Sequence, residues 1–274
     1  MRISFIQPRP ELRPHISSLW VFESDVGMPR TDRSLAAPNG CPKLIIPYEN
    51  TLESIANGRY QVTREQGLYF VGNRDSSTLI YSRPRRTGFI GIEFAPHGAF
   101  PIFGIPMQET VNGHLDSEVV FGRWGREARE TLRNLEDVRG KMRFIQDELV
   151  MLLRKNRQDS GLIDFCVRTL ETADGLVPIK ELERKTGFTR QYLDQLFKRH
   201  VGLSPKTLAA IFRFQKFYRK WAQGLPYEAL KEELYSSYYD QAHFTKEFKR
   251  MTGYSPRKFT LEVPNEFGRR LSLR

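Results

Sequence analysis

The stretch FKRHVGLSPKTL, residues 197–208, returns 51 residues later as FKRMTGYSPRKF, residues 248–259. Six positions are identical at that offset: Phe197/Phe248, Lys198/Lys249, Arg199/Arg250, Gly202/Gly253, Ser204/Ser255 and Pro205/Pro256. Each copy reads as the end of one helix and the start of the next. Glycine supplies the left-handed residue that closes a helix. Ser-Pro then caps and opens its successor, with proline in the first turn, where its missing N–H costs nothing.

Working outward from the first copy, VPIKELERKTGFTRQYLDQLFKRH (177–200) places Pro178 at a helix start and Ile179 and Leu182 on one face. Gly187 suits a tight turn, Thr189 caps the next helix, and Leu193, Leu196 and Phe197 face inward. That is a helix-turn-helix over 178–200. Arg190, Gln191, Asp194, Gln195 and Lys198 point outward, able to bond base edges or phosphates. A long helix follows, over about 205–222, with apolar residues on many sides and a length of about 27 Å. Such a spacer can hold two reading heads on one face of a duplex. The second head, over 228–251, has Asp240 as N-cap, Phe244 and Phe248 inward, and Gln241, Ala242, Thr245 and Lys246 outward.

Charge agrees with a polyanionic partner. The chain of 274 residues carries a net +11, distributed unevenly. Residues 1–158 hold 22 Lys and Arg against 18 Asp and Glu, whereas 179–259 hold 17 against 8. A basic excess so concentrated points to nucleic acid before acidic membrane.

The first hundred residues read differently. LWVF (19–22), KLIIPY (43–48), LYFVG (68–72), STLIY (77–81) and GFIGIEF (88–94) are short β-branched and aromatic runs between turn residues, which predicts an antiparallel sandwich or barrel. The aromatics Trp20, Tyr48, Tyr81 and Phe94 are candidates to line a ligand cavity there, or ordinary core. Helical periodicity takes over near 117, with one stripe at Phe121, Trp124, Ala128, Leu132 and Leu135 and another at Met142, Ile145, Leu149 and Leu152. RKNRQDSG (154–161) reads as a linker between a domain over 1–153 and one over 162–262. The tail PNEFGRRLSLR is expected to be frayed.

The two cysteines, Cys41 and Cys166, lack metal or disulfide spacing, and no His pair shows it either, so no metal or cofactor is expected. Nor is there a signal peptide or an apolar run long enough for a bilayer, which fits a cytoplasmic protein without membrane contact. Walker A, GxGxxG, GxSxG and HExxH signatures are absent, so the chain does not read as an enzyme.

On GFTRQYLDQLFKRHVGLSPK and YYDQAHFTKEFKRMTGYSP, the segment 162–259 resembles the AraC/XylS family of transcription regulators. APNGCPKLIIPY and IGIEFAPHGAF make the N-terminal part look like the cupin-like sensor domain of one branch. The resemblance implies an α+β protein: a cupin-like β-barrel with flanking helices, then an all-α domain of two helix-turn-helix modules joined by a long helix. It implies double-stranded DNA as partner, read by Gln191, Asp194 and Gln195 in the first head and Gln241, Ala242 and Lys246 in the second. Arg190, Lys198, Lys206, Lys249 and Arg257 then hold phosphates, which set affinity rather than sequence. A small-molecule effector in the barrel, RNA polymerase as a partner and a homodimer through the 117–153 helices belong to the same implication.

Three departures matter. Glu183 stands where the family has alanine, Glu232 and Glu233 where it has a Leu-Ala pair, and Ser237 where it has the turn glycine. A rival reading therefore keeps a cupin-like small-molecule-binding protein whose helical half binds DNA only non-specifically.

Overall fold

The computed structural model describes residues 1–156, 160–236 and 241–272, with the side chains of 232–236 and Gln241 outside that description. The strands are β1 (Arg2–Ile6), β2 (Ile16–Ser24), β3 (Leu35–Ala36), β4 (Lys43–Glu49), β5 (Leu52–Ala56), β6 (Arg59–Thr63), β7 (Tyr69–Val71), β8 (Thr78–Ser82), β9 (Thr87–Phe94) and β10 (His114–Asp116). They form two antiparallel sheets, of order β1-β2-β9-β4-β7-β10 and β3-β8-β5-β6. The five predicted runs are β2, β4, β7, β8 and β9. The hairpin β5–β6 turns through Asn57 and Gly58, both at positive φ (50° and 73°), the geometry that matches strand twist in a two-residue loop.

Side chains alternate across the larger sheet, and both of its faces are buried. Leu19 and Val21 of β2, Leu44 and Ile46 of β4, and Ile90, Ile92 and Phe94 of β9 go to one side. There α1 (Ala99–Phe103), α3 (Arg123–Asn134) and α4 (Val138–Asn156) cover them. Trp20, Phe22, Ile45 and Phe89 point to the other side, toward the smaller sheet. The stripe expected from 117 is broken in two: α2 (Ser117–Phe121) is capped by Asp116, and Gly122 at φ 56° turns the chain before α3. Arg154–Asn156, the first residues of the stretch read as a linker, continue α4.

The C-terminal half is helical: α5 (Gly161–Thr172), α6 (Ile179–Thr186), α7 (Arg190–Val201), α8 (Pro205–Ala222), α9 (Tyr227–Ser236), α10 (Gln241–Thr252), α11 (Pro256–Glu262) and α12 (Glu266–Ser272). The repeated phrase builds the same object twice. Gly202 and Gly253 sit at φ 85° and 83°. Ser204 and Ser255 accept from the backbone N–H of Thr207 and Lys258, and Phe197 and Phe248 are buried in one core with Phe214 and Phe217 of α8.

The tail departs from expectation. Asn265, Phe267 and Gly268 are buried, and Phe267 reaches into the barrel against Phe22, ring centroids 5.6 Å apart. Asn265 Nδ2 donates to Tyr218 Oη of α8 at 2.7 Å, and Arg269 lies over the Trp221 ring. Phe267 and Leu271, two apolar residues in a charged segment, give little local signal, yet burying one Phe is worth about 2–3 kcal/mol. That is enough to hold a two-turn helix down.

Candidate nucleic-acid interface and effector cavity

In the first head, α6 ends at Gly187 (φ 74°), and Thr189 Oγ1 accepts from Tyr192 N to cap α7. Glu183, the first departure from the family pattern, has a local use: its carboxylate accepts from Arg190 N at 2.8 Å. It thus satisfies one of the unbonded N–H groups at the α7 N-terminus and complements the helix dipole. Arg190, Gln191, Gln195 and Lys198 are exposed, and Asp194 is half-buried. Phe188 and Tyr192 stack at 4.5 Å beside them, both largely exposed, an aromatic pair that sequence reasoning passed over.

In the second head, Ala242, Lys246 and Lys249 are exposed on α10, and Leu230 of α9 is buried. Glu247 faces Arg213 of α8 at 3.6 Å, which ties this module to the connecting helix. Ser237 and Asp240 lie outside the described residues, as do the side chains of Glu232, Glu233 and Gln241. Lys206 and Arg257 are exposed just after the Ser-Pro caps of α8 and α11. Backbone N–H groups and the dipole favour an anion there.

Both heads dock on the β-domain by the C-terminal ends of their outward-facing helices. Asn73 Nδ2 donates to Val201 O of α7 at 2.7 Å, and Ser77 Oγ donates to Thr252 O of α10 at 3.3 Å. Val201 and Thr252 are themselves one repeat apart, 252 − 201 = 51. Arg250 faces Asp75 at 3.6 Å, Phe100 packs on His200 at 4.0 Å, and His97 meets Asp164 of α5 at 3.5 Å. Burial holds the imidazoles of His97 and His200 at pKa values of about 4, so both are neutral at pH 7.

Between the sheets lies a cavity of about 530 Å³. Trp20 lines it, with Phe89 edge-on at 5.5 Å. Tyr48, Tyr81 and Phe94 do not line it. Phe94 and Tyr48 have the opposite strand parity and pack with the cluster under the helices. Tyr81 lies on β8 next to the cavity-lining Ile80 and has Arg30 over its ring at 5.1 Å. Instead the wall includes Ser54, Thr63, Thr78 and His114 from the barrel, and Phe212, Gln215, Tyr218 and Arg219 from α8. From α12 come Phe267 and Leu271. Alternation in LESIA and STLIY could have flagged Ser54 and Thr78 as inward polar positions. Nothing local could have flagged α8. Among the described residues no cluster of three or more His, Cys, Asp or Glu could hold a metal, and no helix is long and apolar enough to cross a membrane. Burial pushes the Cys166 thiol up to about 11.

Residues 182–261 match the model of a helix-turn-helix domain, and residues 4–116 match a domain of unknown function (DUF6597). No curated protein matches the chain. Among solved structures, unsaturated fatty acid bound wild-type ToxT from Vibrio cholerae strain SCE256 is 9% identical over 91% of this chain and 97% of that chain, with a TM-score of 0.48. The AraC-like transcriptional activator CuxR is 18% identical over 72% of each chain, with a TM-score of 0.26. The Clostridium difficile EutQ protein is 17% identical over 34% of this chain and 67% of that chain, also at 0.26. The matched helix-turn-helix segment takes in the glycine-closed helix ends and Ser-Pro caps of both copies of the 51-residue repeat, so the chain carries a helix-turn-helix domain behind a β-rich domain that matches DUF6597.

Proposed function

We propose that the protein binds duplex DNA with sequence preference and that a small molecule in the interdomain cavity controls this binding. The observation that carries it is the cavity wall: one space is bounded by barrel strands, by the helix joining the two heads and by α12. Anything bound there has differential contacts with any rearrangement of the heads, which is the requirement for linkage between two sites. Gln191 and Gln195 pair with adenine edges in a bidentate way, Asp194 accepts from a cytosine amino group, and Lys246 favours guanine. Lys198, Lys206, Lys249 and Arg257 engage phosphates. The chain carries no catalytic role in this reading. It acts in the cytoplasm, with RNA polymerase and a second copy of the chain, through the 117–153 helices, as its protein partners. Glu183 as a helix cap weakens the rival reading of non-specific binding, because that departure from the family pattern supports the first head.

Selection of bound duplexes from a random pool tests the preference. A salt titration on the selected duplex should give a slope of log K against log[salt] of roughly −4 or steeper for four phosphate contacts. Retention without any enriched sequence would refute the reading.

A further inference from the structure

The segment Gly72–Ser77, between β7 and β8, faces two ways. Asn73, Asp75 and Ser77 engage Val201, Arg250 and Thr252 at the ends of α7 and α10. Arg74 and Ser76, in between, line the cavity. The segment is braced from behind: Asn73 O accepts from Asn112 N at 2.9 Å, and a Cβ at Gly72 would collide with the Thr110 carbonyl.

Of the charged groups at the cavity wall, two sets are held in ion pairs, while Arg74 and Glu171 stand outside them. Lys43 and Glu93 pair at 3.3 Å, and Asp174 sits within 3.5 Å of both Lys216 and Arg219. His114 stays neutral, with burial first and then Arg74 holding it at about 4. Among the described residues Arg74 meets neutral acceptors, Gln61 Oε1 at 3.1 Å and, at 3.5 Å, Gly113 O. Its Nε is buried with no acceptor. Three buried hydroxyls of the cavity wall also lack partners, those of Ser54 (4% exposed), Ser76 and Thr78 (7% exposed). Buried polar groups of native proteins are almost always satisfied, so four such groups at one cavity are an argument for a ligand. Trp20, Ile45, Phe89 and Phe267 add an apolar part to the lining.

We propose that the cavity takes a small organic carboxylate seated on Arg74, and that the 72–77 segment carries its presence to both reading heads. This rests on the regulator reading above. One guanidinium fork matches one planar monoanion in a bidentate pair, whereas a phosphate dianion would need a second free cation. The hydroxyls fill the remaining lone pairs, and the apolar part of the lining receives the body of the acid. Pulling Arg74 and Ser76 toward the ligand moves Asn73 and Ser77, which hold the equivalent carbonyl of each head.

The test is isothermal titration of the full-length protein with three acids and their amides: benzoate and benzamide, hexanoate and hexanamide, indole-3-acetate and indole-3-acetamide. At least one acid should bind about tenfold or more tighter than its amide. Arg74→Gln should abolish that preference, Arg74→Lys should retain part of it, and the isosteric Thr78→Val should weaken acid binding. The bound acid should change affinity for the selected duplex about fivefold or more. The Asn73→Ala/Ser77→Ala double variant should still bind acid yet lose most of that change. Failure of all three acids to bind, amides binding as well as acids, or an unaffected Arg74→Gln variant overturns the carboxylate seat. If the amides bind and still alter DNA affinity, the regulator reading survives without it. A double variant with the full change overturns the transmission.

Discussion

Gly202 and Gly253 occupy the same place in the repeat, so substituting each by alanine separates local from tertiary cost. Both sit at positive φ, 85° and 83°, where alanine costs about 1–2 kcal/mol. There the likeness ends. A Cβ at Gly253 meets nothing within 4 Å, whereas one at Gly202 lies 2.8 Å from both the Met107 carbonyl oxygen and Val111 Cγ2 of the β-domain. The oxygen is backbone and cannot swing aside, so the domains must separate by a few tenths of an ångström or the strain stays. Overpacking of this kind costs about 1–3 kcal/mol. Gly202→Ala should therefore destabilise the full-length protein by about 2–5 kcal/mol and Gly253→Ala by about 1–2. Urea unfolding at pH 7.5, followed by tryptophan fluorescence and circular dichroism together, measures both. Because the collision lies at the seat of α7 on the β-domain, Gly202→Ala should also expose the interface to limited proteolysis, and Gly253→Ala should not. Equal costs for the two variants would mean that the first head is not docked where Val201 meets Asn73.

The two heads should read DNA unequally. Gln191→Ala or Gln195→Ala is expected to cost about 1–3 kcal/mol on the selected duplex and blur one or two base pairs, while Lys246→Ala weakens matched and scrambled duplexes alike and lowers the salt slope by about one. Dissociation constants at two salt concentrations decide it, and discrimination lost with Lys246→Ala but kept by both Gln variants reverses the assignment. Phe267→Ala should remove the anchor of α12 and cost about 3 kcal/mol, the low end for a buried Phe because it borders existing space. An unchanged urea midpoint would mean the tail is not seated. Acid should loosen the protein: His97, His114 and His200 titrate at about 4 when folded against about 6.5 unfolded. The unfolded chain thus binds more protons between those values, and stability falls as pH drops from about 6.5 toward 4. Unfolding midpoints that stay flat from pH 7 to 5 would refute the burial of these rings.

What the sequence determined by itself was the paired modules. Gly202 and Gly253, Ser204 and Ser255, and Pro205 and Pro256 act through bonds spanning a few residues, so their meaning travels with the local string. The outward positions of α7 followed from the same periodicity. Which strand face looks into the cavity did not follow, because alternation gives two faces and both are buried here: Trp20 and Phe94 are equally aromatic and equally hidden, yet only Trp20 meets the cavity. The seating of α12 was equally silent, since two apolar residues among charges, Phe267 and Leu271, are too few to mark a buried face. Only the tertiary structure decided that Asn73 and Ser77 hold equivalent carbonyls of the two heads while Arg74 and Ser76 face the cavity. That arrangement is a set of contacts between residues 128 and 175 positions apart. No local propensity encodes such pairings; the packing of two cores against one another does.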